Sequence, residues 1–173
     1  MVSPVDKGSA IGSPERGWRH GRGKAMLWVT RKRIQVNRAA TAWLVRRFVD
    51  PEAEFLFVEP EAVAAVQRER GAIGFDAPGA RYPHADDHGR CSFEALVQEH
   101  RAEDAALVAM ARIVHGADFA EHVDMTPESA GLVAISRGFP LVARDDHETV
   151  EKASFLYDAL YAALQKRTGV SKP

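Results

Sequence analysis

Segments with helical spacing of apolar residues far outnumber strand-forming runs in this chain, and that imbalance restricts its fold more than any other feature. Asn37 reads as the cap of a helix over 38–49, with Ala40, Trp43, Leu44, Val45 and Phe48 on one buried stripe. Asp50-Pro51 ends it, because the residue before proline avoids helical dihedrals. Pro60 suits the first turn of a helix over 61–70 closed by Gly71. Ser92 caps a stretch over 93–100, and Asp104 opens one whose Leu107, Val108, Met110, Ala111 and Val114 keep helical spacing up to His115, where Gly116 breaks it. Thr126-Pro127-Glu128 predicts a helix through about Ser136, stopped by Gly138 and Pro140. Asp145 or Asp146 begins the last helix, with Val150, Ala153, Tyr157, Leu160, Tyr161 and Leu164 inward. Only 27–30, 54–58 and 73–75 read as strands. The expected class is therefore α+β and helix-dominated, with five or six helices and a small two- or three-stranded sheet.

With 173 residues the chain holds one domain with a real core. The Gly, Ser and Pro content of the start predicts a disordered N-terminal extension over 1–25, a single domain over 26–168 and a flexible tail over 169–173. No apolar run approaches the roughly 20 residues of a membrane helix, so no membrane insertion is expected. One cysteine cannot form an internal disulfide, which fits a cytoplasmic location. The net charge of −1 conceals an asymmetry: residues 1–47 hold 11 Lys/Arg against 2 Asp/Glu, and the remainder 12 against 22. A basic start beside an acidic body attracts anions to one region and cations to the other.

The chemistry concentrates between 84 and 118. His84, Asp86, Asp87, His88, Cys91, Glu94, His115 and Asp118 lie there, including the sole thiol of the chain. Imidazole and carboxylate together suit a divalent transition metal ion such as zinc or iron. His115 and Asp118 are three apart near a helix end and can converge on one ion. Glu94 lies one turn into the Ser92-capped helix, and His84 and His88 sit in a Pro/Gly-bounded loop that can close over it. The expected ligands are His84, His88, Glu94, His115 and Asp118. Each also has a plainer reading, as cap, loop hydrogen-bonder or solvated side chain. Cys91 precedes a helix start, where the dipole lowers a thiol pKa and makes it a redox or ligand candidate, or it is simply a small buried residue. Glu128 and Asp146 are candidates to take a proton from metal-bound water. If a small oxyanion binds, Arg38, in the first turn of its helix, is the first choice for contact, with Arg46 as a second basic residue further along; the plainer reading is that these arginines pair with the acidic remainder of the chain. His100 and His122 are expected on the surface.

Several stretches together resemble the C-terminal domain of the chromate-resistance family ChrB. They are Trp28-Val29-Thr30-Arg31, the run Asn37-Arg38-Ala39-Ala40-Thr41-Ala42-Trp43-Leu44-Val45-Arg46-Arg47-Phe48-Val49-Asp50-Pro51, Cys91-Ser92-Phe93-Glu94, Ile113-Val114-His115 with Asp118, Pro127-Glu128 with Gly131-Leu132, and Tyr157-Asp158-Ala159-Leu160-Tyr161. The chain departs from that family's usual Asp-Arg-x-Ala-Cys-Pro-Trp helix start, with Asn37, Thr41 and Ala42 at the acid, thiol and proline positions, so thiol chemistry there is absent. The resemblance implies a setting in chromate or metal stress, as sensor or regulator beside an efflux transporter. Residues and resemblance together predict a metal-binding protein that holds its ion by His, Asp and Glu side chains, as a sensor or a metal-dependent enzyme. An alternative is a DNA-binding regulator that uses the basic residues 16–47.

Overall fold

A computed structural model describes residues 25–169, so nearly all of the expected extension and tail lies outside the described residues. Three short strands, β1 (Leu27–Arg31), β2 (Glu54–Val58) and β3 (Ile73–Gly74), form one sheet in the order β2-β1-β3. Both pairings are parallel. Parallel strands need crossovers, and here these are helices. Helix α1 (Val36–Leu44), prolonged by a π turn (Val45–Val49), links β1 to β2. Helix α2 (Val63–Arg70), entered through a 3-10 turn at Pro60–Ala62, links β2 to β3. The remaining described elements are α3 (Ser92–His100), α4 (Ala105–Asp118), a 3-10 segment (Ala120–Met125), α5 (Pro127–Val142) and α6 (Asp146–Arg167). The helix-dominated α+β expectation holds.

The central strand β1 is buried on both faces, as a parallel sheet requires. Val29 faces a small cluster with Val63, Ala72 and Ala77 beneath α2. Trp28, one residue earlier and so on the opposite face, joins Phe55 and Phe75 in the main core, shared with Leu44, Phe93, Leu107, Met110 and Tyr157. Each fully buried large side chain contributes about 1.5–3 kcal/mol relative to exposure. Helix α6 closes this core over α1: the Tyr157 hydroxyl donates to the Val36 carbonyl at 2.9 Å, and the Trp43 indole N–H to Asp158 at 3.0 Å. Asp146 accepts from the Arg33 and Ile34 backbone N–H groups at 3.0 and 2.9 Å, which pins the β1–α1 turn across 113 residues of sequence.

Several helix ends differ from expectation. Asn37 lies inside α1, whose N-cap is Gln35, and its Oδ1 instead accepts from the Ser92 hydroxyl and the Phe93 N–H at the start of α3. A tertiary acceptor role displaced the local cap. Cys91, rather than Ser92, caps α3. Gly116 does not break α4, because a helical glycine is tolerated where close packing rewards it. A Cβ there would meet the Ser129 Oγ at 2.5 Å and the His122 carbonyl at 2.9 Å. Helix α5 runs past Gly138 and Pro140 to Val142, with the proline inside its last turn.

Candidate metal centre

Strand β1 lies between β2 and β3, and its carboxyl end and that of β3 stand side by side. Arg31 ends β1, and the chain leaving β3 delivers Asp76 beside it. Asp76 is a buried, non-glycine residue at φ 46°, a sparsely populated conformation that aspartate tolerates better than most. The Thr30 hydroxyl donates to the Phe75 carbonyl at 2.6 Å and holds this junction shut.

Asp76 gathers three partners. Arg38 donates to its Oδ2 at 2.7 Å, and Arg31 bonds the same oxygen at 3.3 Å and the backbone carbonyl at 2.9 Å. His84 Nδ1 lies 2.8 Å from Oδ1. Burial pushes the Asp76 carboxyl up, but the His84 hydrogen bond and the Arg38 and Arg31 charges outweigh it, leaving the pKa below the usual aspartate range. Asp118, at the last residue of α4, completes the group: its Oδ2 is 3.3 Å from His84 Nδ1. That approach lacks hydrogen-bond alignment, so Asp118 Oδ2 is buried with no hydrogen-bond partner. Burial, and then the Asp76 charge, push Asp118 up to about 6 despite His84, Arg38 and Arg31. The bond to Asp76, helped by Asp118 and opposed by burial, raises the His84 pKa. One donor atom each from Asp76, His84 and Asp118 falls within 4.8 Å of the others, close enough for one cation. A cavity of about 330 Å³, lined by Gln35, Asp118, Val123 and Arg137 among others, adjoins the cluster.

Glu94 and His115 meet at a second place. Glu94 Oε2 accepts from the Cys91 N–H at 2.9 Å, completing a capping box, and lies 2.6 Å from His115 Nδ1. His115 Nε2 in turn lies 2.7 Å from Nδ1 of His122. His84 and His115 both pack on the Phe119 ring, at 4.9 and 4.6 Å between centroids. The expected ligands thus fall into two groups beside one aromatic ring. His88 is exposed, with its backbone N–H bonded to Asp86.

The other candidates occupy different surroundings. Burial holds the Cys91 thiol well above its ordinary pKa and overrides the helix-start effect expected from sequence. Asp146 spends both oxygens on the β1–α1 turn, and Glu128 pairs with Arg167 at 2.6 Å. Arg38 is committed to Asp76 and to the Arg33 carbonyl. Arg46 lies over the Phe55 ring at 5.0 Å, more than two turns along from Arg38. Within the basic segment, Arg31 pairs with Asp76, Lys32 with Glu59 and Arg47 with Asp158. The part of that segment over 16–24 lies outside the described residues. Asp76 and His122 were missed: nothing in the Pro/Gly-rich loop flags Asp76, and only the i, i+7 spacing of His115 and His122 across a helix end hints at their meeting.

The molecule is thus a small parallel-sheet α+β domain with an Asp/His cluster beside the carboxyl ends of β1 and β3. The family described as ChrB, C-terminal domain, matches residues 28–164. The chain is also similar to Protein ChrB of Cupriavidus metallidurans, 33% identical over 165 residues. That alignment covers 93% of this chain and 47% of the relative, so the chain spans about half the relative's length. The chain belongs to the ChrB C-terminal-domain family. No solved structure matches it. None of the described helices is long and apolar enough to cross a membrane.

Proposed function

We propose that this chain binds a divalent transition metal through Asp76, His84 and Asp118 and acts in the chromate or oxyanion stress setting that its family membership suggests. The observation that carries this reading is the convergence of three donor atoms within 4.8 Å, one of them a buried carboxylate oxygen with no hydrogen-bond donor. Unsatisfied buried acceptors are costly, and a cation relieves the cost. Two carboxylates and one imidazole suit zinc, iron or manganese. Three protein ligands leave a coordination position open, and the cavity beside Asp118 gives water or a small oxyanion such as chromate a place to reach it. The same architecture serves a sensor or a metal-dependent enzyme.

Elemental analysis of protein purified without chelator or affinity tag tests this directly. About one equivalent of metal is expected, lost in Asp118→Asn and His84→Ala. Folded, metal-free protein that takes up no added Zn²⁺, Mn²⁺ or Fe²⁺ overturns the reading.

A further inference from the structure

We infer that His115 and His122 form a second metal site, distinct from the Asp76 cluster and selective for ions that favour imidazole. The ligand class is a borderline divalent cation such as Zn²⁺, bound by two ring nitrogens and completed by water.

Three observations carry this. First, His115 is prepared as a ligand. Its Nδ1 is 2.6 Å from Glu94 Oε2, so the N–H sits on Nδ1 and the Nε2 lone pair points away from the carboxylate. A carboxylate behind an imidazole fixes the tautomer and raises ligand basicity in metal sites generally. Glu94 is itself held, since the same oxygen accepts from the Cys91 N–H.

Second, the atom that His115 Nε2 faces is another imidazole nitrogen, Nδ1 of His122, at 2.7 Å. Those rings are 18° from parallel with centroids 4.9 Å apart, so they meet edge to edge, joined by one shared proton. An ion takes the place of that proton. With Zn–N bonds of about 2.0–2.1 Å in tetrahedral geometry, the two nitrogens must stand about 3.3 Å apart, an opening of roughly 0.6 Å.

Third, the required movement falls on the residue able to make it. His115 is fixed by Glu94 and by the Phe119 ring. His122 is exposed on the 3-10 segment, and rotation about its two side-chain torsions bends the facing nitrogens toward a common ion. The carbonyl of His122 stays close to Gly116, so its backbone need not move.

The experiment is Zn²⁺ titration of the full chain by calorimetry, with ring-nitrogen NMR of the histidines in Asp118→Asn, where the first site is disabled. The wild type should bind two equivalents, and His122→Ala and Asp118→Asn one each. In Asp118→Asn, Zn²⁺ should shift the His115 Nε2 and His122 Nδ1 resonances. Glu94→Gln should weaken this equivalent by about 10- to 100-fold. Because His122 is exposed, His122→Ala is expected to fold, checked by its melting curve. Two equivalents in His122→Ala, or unmoved resonances in Asp118→Asn, overturn the second site and leave the first standing. Loss of binding only in His122→Ala overturns the first and leaves the second.

Discussion

The two groups that share Phe119 solve opposite problems with similar side chains. On one side, Asp76, His84 and Asp118 are rich in oxygen and crowded with charge, and two arginines hold Asp76 in place. On the other, Glu94, His115 and His122 form a single file of hydrogen bonds, from a capped helix start out to an exposed ring. The first group is pre-assembled and electrostatically tense, whereas the second is satisfied by hydrogen bonds as it stands, and the inferred second site requires its outer member to turn. Preorganisation resides in the sheet edge, and adaptability in the helical segment that follows α4.

The comparison breaks most severely at Asp76. Asp76→Ala removes the anion shared by Arg38, Arg31 and His84, leaving the mostly buried Arg38 unpaired. A loss of about 3 kcal/mol of unfolding free energy is expected in denaturant titration, at the lower end for buried pairs because Arg31 is a third exposed. Metal binding at the first site should vanish with it. A stability change below 1 kcal/mol would show that the tension is not electrostatic.

Asp118→Asn should act in the opposite direction on the metal-free protein. A carboxyl raised from 3.8 to about 6 loses stability as pH rises from its unfolded toward its folded value, and the penalty is complete above about 6. Asn avoids it, so at pH 7 the metal-free variant should be more stable by about 2–3 kcal/mol, with no gain at pH 3. The same protonation competes with metal. Affinity at the first site should fall as pH drops through about 6, where Asp118 takes up a proton and His84, its pKa raised, holds one. Affinity equal at pH 5.5 and 7.5 would count against Asp118 as a ligand.

Gly116→Ala sharpens the contrast without touching a donor atom. The new methyl collides with Ser129 and the His122 carbonyl, so a cost of about 1–3 kcal/mol is expected. Displacement of the 3-10 segment should weaken Zn²⁺ binding at His115 and His122 more than at Asp76. The smallest effect belongs to Arg46→Ala, about 0.5–1 kcal/mol from the lost contact with Phe55, with both sites intact by metal titration.

Much of the fold was readable because short-range rules governed it. Pro60 with Gly71, Asp104, Thr126-Pro127 and Asp145 each mark a helix boundary within a residue or two. Those rules failed where a distant partner set the outcome. Asn37 looks like a cap until α3 offers it an N–H 56 residues away. Gly116 looks like a stop until Ser129 packs against it. The site shows the same limit. His84, Glu94, His115 and Asp118 stood out by residue type, but their division into two groups depends on where β3 delivers Asp76, which parallel pairing with β1 decides. His122 is on the surface, as expected, yet its hydrogen bond to His115 arises from a 3-10 turn that no sequence signal marks.

The reach of Asp146 back to Arg33 and Ile34 has a consequence for how the protein matures on the ribosome. Synthesis proceeds from the amino terminus, and upstream elements begin to fold as they emerge. The turn that aims Arg38 at Asp76 gains its fastener only when the start of α6 leaves the exit tunnel. Nascent chains ending before that point carry every donor of both groups, yet lack the clasp that holds the guanidinium in place. The contact between Arg38 and Asp76 thus gains its last support only late in the synthesis of each chain.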